Sequence, residues 1–261
     1  MFLMLILTGC GSEDQGSDAS SKKASGLWFG TTTETAAGID NDLSTYLLFY
    51  EEDVYILRED EAQIGSYEVE ENGHVAMDTQ VFTFTDPDTD NNFYVGSRST
   101  EQIIVDSLFA TNTTLFANYE NNTRFGSMEL TLDTAQEDNL SFSRVAGTWG
   151  TTDSVLYIND EGGFIGNGTD CQWDGDLTSA SGSFATLSIS RQGIGCGIFT
   201  PSETSQAEGI AFIDGEGLLH FLSLYNNIFL WQRFTSQNIT VPADTTDEEA
   251  AAEEEPAAEE V

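Results

Sequence analysis

Positive charge is almost missing from this chain. Only 8 of its 261 residues are Lys or Arg, against 45 Asp and Glu, for a formal net charge of −37. Both lysines, Lys22 and Lys23, come early, so everything after residue 23 relies on arginine for fixed positive charge. Nucleic-acid binding needs clustered Lys and Arg, and this balance excludes it. A Gly-rich phosphate loop with a following Lys is excluded as well, since no Lys is available to it. Histidine is equally sparse. His74 and His220 are the only two; neither stands at ligand spacing to the cysteines, and neither has a recognisable partner for nucleophilic catalysis. The chain has 4 prolines and no run approaching 18 apolar residues, so no segment reads as a membrane-spanning helix.

What is present suits β structure. Hydrophobic residues make up 39% and aromatics 11%, enough for a sizeable core, and 24 glycines supply tight turns. Ser183 to Ser190 alternates with period two, which predicts a strand burying Phe184 and the aliphatics after it on one face. Val81 to Thr85 places Phe82 and Phe84 on one side. The clusters Asp160-Glu161-Gly162-Gly163 and Asp214-Gly215-Glu216-Gly217 separate apolar runs and tolerate the positive φ of tight turns. Only Glu101 to Ala110 hints at a helix. From Pro242 to Val261 the chain carries nine acidic residues and no basic one, a composition that predicts a disordered tail.

Two halves share one opening. Gly26-Leu27-Trp28-Phe29-Gly30 recurs as Gly147-Thr148-Trp149-Gly150. Residues 108–119 and 222–233 each read as apolar strand, Asn-led turn, apolar strand, the signature of a hairpin. The expectation is an all-β protein with two tandem antiparallel β domains, each a small barrel or sandwich, over residues 26–133 and 146–235. Residues 134–145 then form the linker and 236–261 the acidic tail.

The N-terminus suggests an address. An apolar run over residues 2–7 ends at Leu7-Thr8-Gly9-Cys10, which resembles the bacterial lipobox. That resemblance implies a signal segment over 1–10, lipidation of Cys10, and a flexible tether over 11–25. Gly11 after the Cys is similar to the outer-membrane sorting signal, so the expected location is the bacterial envelope, on the periplasmic or surface side of the outer membrane. In that oxidising setting Cys171 and Cys196 are expected to form a disulfide, worth roughly 3 kcal/mol in the chain-entropy model. The Gly-x-Trp openings resemble the start motif of lipocalins, which implies a cup-shaped barrel closed by Trp28 or Trp149 over a ligand pocket.

Candidate chemistry is thin. Asp86, Asp88 and Asp90 alternate as at the start of an EF-hand-type calcium loop, but Asn91 stands where Gly is needed and Ser97 where the bidentate Glu should be. No other cofactor is implied. His74 is expected in an exposed turn, and His220, out of phase with Leu219 and Phe221, to face solvent or an interface. The leading expectation is a non-enzymatic interaction or accessory module, anchored by lipid and meeting an envelope protein. The alternative is a lipocalin-like carrier of a small apolar ligand.

Overall fold

The computed structural model describes residues 26–237, apart from 37, 71–73, 86–91, 110, 121–123, 135–139, 180–183 and 197–203. The lipobox, the tether, the calcium-loop aspartates and all but the first two residues of the acidic tail lie outside the described residues.

Sixteen strands account for nearly all of the described chain. The first eight are β1 (Gly26–Ala36), β2 (Ile39–Tyr50), β3 (Asp53–Leu57), β4 (Glu61–Val69), β5 (His74–Phe84), β6 (Phe93–Phe109), β7 (Thr114–Glu120) and β8 (Arg124–Leu132). Each pairs antiparallel with the next, and β8 pairs back onto β1, closing a circuit of eight. The second eight are β9 (Gly147–Gly150), β10 (Val155–Ile158), β11 (Gly163–Gly168), β12 (Cys171–Ser179), β13 (Phe184–Gln192), β14 (Thr204–Ile213), β15 (Leu219–Tyr225) and β16 (Ile228–Ser236). They repeat the meander, and β16 closes onto β9 through Thr235↔Gly150 and Ser236↔Trp149. Closure removes the exposed sheet edges that would otherwise template aggregation.

The openings match in backbone as well as in sequence. Gly26 and Gly147 start their circuits at φ +114° and +126°, a region closed to most residues. Two residues later Trp28 and Trp149 turn inward. With β1 set against β9, the last hairpin of the second circuit, β15–β16, corresponds to β7–β8, whereas residues 108–119 span the end of β6 and most of β7. The hairpin match drawn from the sequence is therefore one strand out of step.

Both interiors are filled by side chains. In the first barrel Trp28, Leu47, Phe49, Ile56, Val105 and Leu130 belong to one buried cluster. Its polar end is occupied by Arg58, whose guanidinium meets Glu34 at 3.0 Å and Glu61 closer still, while Arg124 reaches Glu61 at 2.8 Å and Glu34 at 3.3 Å. Tyr119 donates to Glu34 at 2.5 Å. Its ring crosses the opposite strand at Gly126, where any Cβ would stand about 2.5 Å from the phenol. In the second barrel Trp149, Phe164, Trp173, Leu187, Phe221 and Phe234 fill the centre. The expected linker contributes here: a one-turn helix, α1 (Phe142–Val145), follows buried Leu140, and the Val145 carbonyl accepts the Trp149 indole N–H at 2.6 Å.

Two expectations need correction. Residues 101–109 are strand, not helix: Ile103 and Val105 point into the first barrel while Ile104, between them, points out. Along β13 it is Ala185, Leu187 and Ile189 that share the inner face, and Phe184 lies on the other.

The barrels are joined by a seam. The first half of β6 pairs with β16 over five registered positions, from Phe93↔Gln232 to Ile228↔Ser97, before its second half turns to β7. A third buried cluster lies behind this ladder, made of outward-facing residues from both circuits, among them Tyr46, Phe82, Tyr94, Phe212, Phe229 and Trp231. β2, β15 and β16 are therefore apolar on both faces along part of their length.

Candidate functional site

The seam also holds the most organised polar group outside the barrels. The segment from Asp214 to Leu218 is a turn in which Asp214 Oδ1 accepts the backbone N–H of Glu216 at 3.0 Å and of Leu218 at 2.9 Å, with Gly217 at φ +84°. The turn at Asn159 has the same design, its Oδ1 accepting the N–H groups of Glu161 and Gly163, with Gly162 at φ +93°. An amide oxygen thus suffices for this turn, and the charge on Asp214 serves something else. Its second oxygen, Oδ2, accepts the Tyr46 hydroxyl at 3.0 Å and meets His220 Nε2 at 2.9 Å.

Trp231 fixes the tautomer of His220. Its indole N–H, which can only donate, points at His220 Nδ1 at 3.1 Å, so Nδ1 must be unprotonated. Nε2 therefore carries the hydrogen and donates to Asp214, and the imidazole is neutral. His220 has no exposed surface. Burial lowers its pKa, outweighing the pull of Asp214 toward the charged form. Burial raises the Asp214 pKa, but the donors from His220, Leu218 and Tyr46 more than reverse this and hold the carboxyl ionised. The Tyr46 phenol is driven well above its ordinary range by burial and by the same carboxylate.

A His–Asp pair invites a catalytic reading, and the geometry argues against one. Both ring nitrogens are committed, to Asp214 and to Trp231, so neither faces a hydroxyl or thiol nucleophile. The imidazole is instead one layer of an aromatic stack, 4.3 Å from Phe212 and 6.0 Å from Trp231, which stacks in turn on Tyr94 at 4.7 Å. Arg233 caps the stack, with its Cζ 5.2 Å from the Tyr94 ring and 5.1 Å from that of Trp231. Comparison with protein-family models and with curated proteins returns no match.

Above the network an apolar groove of about 310 Å³ opens between the barrels, walled by Phe29, Tyr46 and Leu132 and rimmed by Asp133, Asp214 and Glu216. Phe29 is 43% exposed there and packs on Tyr46 with ring centroids 5.0 Å apart.

The other residues singled out by the sequence fall as follows. Cys171 and Cys196 are bonded across 25 residues, beside the mouth of the second barrel. Alkylation of unreduced protein should label neither, and a free thiol at either position would contradict the bond. Trp28 and Trp149 are 3% and 5% exposed within the two filled cores, and neither lines the groove. Cys10 and the aspartates 86, 88 and 90 lie outside the described residues. Both histidines have carboxylate partners that the sequence reading missed: His74 meets Asp106 at 3.2 Å on the surface, and His220 meets Asp214. His74 opens β5, and His220 faces the seam. The residue types in the Asp-Gly-Glu-Gly turn were visible; that its Asp would reach a His six positions on depends on the strand that follows.

Proposed function

We propose that this chain is a non-enzymatic interaction module of the bacterial cell envelope, tethered through lipid on Cys10 and docking a partner protein in the groove between its barrels. The observation that carries the reading is the contrast between filled barrels and an open apolar groove. Both interiors are occupied by large side chains, which weighs against a carrier holding an apolar ligand beneath Trp28 or Trp149. The groove offers an aromatic anchor site at Phe29 and Tyr46, of the kind that dominates interface energetics. Asp133 and Glu216 on its rim, in a chain of net charge −37, select a partner segment that is basic around an apolar side chain.

Site-specific photo-cross-linking in intact host cells tests this. A photoreactive residue at Phe29 should give a protein-sized adduct that the same probe at Ile165, exposed on the outside of the second barrel, does not give. Glu216→Lys should weaken the adduct. Equal labelling at both positions, or none at Phe29, would sink the proposal, and an adduct of small-molecule mass would redirect it to a carrier.

A further inference from the structure

The two buried arginines of the barrels live in opposite surroundings. Arg58, inside the first, is surrounded by the carboxylates of Glu34, Asp60 and Glu61. Arg191, inside the second, is 1% exposed and enters no ion pair among the described residues. Its Nη1 donates to Ser223 Oγ at 2.5 Å, and its Nη2 is buried with no hydrogen-bond partner. Burial, with no anion opposing it, pushes the guanidinium pKa down to about 9, so the group still carries its charge at neutral pH. Among the described residues no carboxylate stands within ion-pair distance of it.

Arg191 borders a cavity of about 60 Å³ at the mouth of the second barrel, which Trp173, Gln232, Ser154, Gly195 and Asp153 also line. The six-membered ring of Trp173 lies over Gly168 and forms one wall. The mouth is held in shape rather than loosely covered: the Cys171–Cys196 disulfide ties β12 to the short 3₁₀ turn Ile194–Cys196, and the Gly195 N–H donates to the Asp170 carbonyl at 3.1 Å. A buried charge is stable only when paired, and among the described residues the Arg191 guanidinium faces this cavity with no anionic partner and Nη2 unsatisfied.

We propose that this mouth is a binding site for a small monovalent anion of acetate or nitrate size, paired with Arg191. By the same measure of volume one water needs about 10–15 Å³, so the cavity holds about four to six such positions, enough for an anion of four heavy atoms and too few for an aromatic acid. A single guanidinium neutralises one charge, and Asp153 on the wall disfavours a second. The site is separate from the inter-barrel groove and does not rest on it.

Thermal unfolding of the full, disulfide-bonded protein in different sodium salts is the test. Sodium is kept constant, so that screening of the acidic surface by cations is the same throughout. Acetate and nitrate should raise Tm saturably over gluconate, which is too large to enter, by about 3 °C at many times the Kd. Benzoate should match gluconate. In Arg191→Met the acetate and gluconate curves should coincide, with Tm in gluconate no lower than for the parent. Asp153→Asn, on the exposed rim, should tighten acetate binding about fivefold by removing a like charge. Identical Tm in acetate and gluconate, or an acetate effect that survives Arg191→Met, overturns the proposal. Should Arg191→Met fail to fold, unchanged acetate affinity in Asp153→Asn overturns it instead.

Discussion

Arg58→Ala should lower the free energy of unfolding by about 3–5 kcal/mol, the range found when one member of a buried charge network is removed. The reason is the company Arg58 keeps. Burial alone would lower its pKa, but Glu61, Asp60, Tyr119 and Glu34 together reverse that and hold the guanidinium firmly charged. Remove it, and Glu34 and Glu61 are left in the barrel with Arg124 as their shared counter-ion, while Tyr119 loses the donor at 3.0 Å. Arg124→Ala should cost less, because Arg124 is partly exposed and Arg58 would still neutralise both carboxylates. Urea unfolding of the two variants beside the parent measures the difference. Equal, small losses would mean that the network is not what fills the polar end of the barrel.

Acid should unfold the protein in two stages, beginning at the seam. His220 has a folded pKa below its ordinary value of 6.5, so below that pH the unfolded chain binds the extra proton and the folded one resists it. Stability is then lost as pH falls, at up to about 1.4 kcal/mol per pH unit for that one proton. The structural cost of protonation is specific. A hydrogen on Nδ1 would confront the Trp231 N–H, and the stack from Phe212 to Tyr94 would have to part. The second stage belongs to Glu34 and Asp214, whose folded pKa values lie below 4.5 and 3.8. For Glu34, burial pushes upward, but the Tyr119 hydrogen bond and the two arginines outweigh it. Their contribution is complete above those ordinary values and is lost as pH falls through the depressed ones. The measurement is urea unfolding from pH 8 down to about pH 2, with the imidazole signals of His220 followed by NMR. These should remain those of the neutral Nε2–H tautomer as the pH falls through 6.5. Titration of His220 near 6.5, with no loss of stability below it, would refute the account. Asp214→Asn should keep the turn, as Asn159 shows an amide can, yet lose stability at neutral pH.

Much of this fold is legible in the sequence. The Gly-x-Trp openings, the glycine-bearing turns and the pairing of Cys171 with Cys196 follow from residue types whose local chemistry leaves few choices. Residues 101–109 mislead because Ile103, Ile104 and Val105 are apolar in succession, and Ile104 stands 67% exposed, so period two is blurred. Their β-branching was the better guide. The seam also left a mark. Tyr46 to Phe49, Leu219 to Leu222 and Ile228 to Trp231 are almost continuously apolar or aromatic, which a strand with one wet face does not need. What no local pattern reveals is which strands of the two circuits meet there. The ion network and the His220–Asp214 pair stayed hidden for the same reason: Glu34, Arg58, Tyr119 and Arg124 come together only after the barrel closes. The groove walls come from β1, β2, the end of β8 and the turn after β14, segments far apart in the chain.

Among the described strands the last to be made closes the second barrel and covers the flank of the first. β16 pairs with β15, with β9 and with β6, and Phe93 precedes its partner Gln232 by 139 positions. A ribosome adding about 5–20 residues per second needs on the order of ten seconds to cover that distance. For all of that time Phe82, Phe84 and Tyr94 have a finished barrel beneath them and nothing above. A nascent chain of this design needs an escort for its N-terminal half, and a stop before Ile228 yields a product with one barrel unclosed and the other's apolar flank bare. The order of synthesis thus leaves both the closure of the second barrel and the cover of the first barrel's flank to β16.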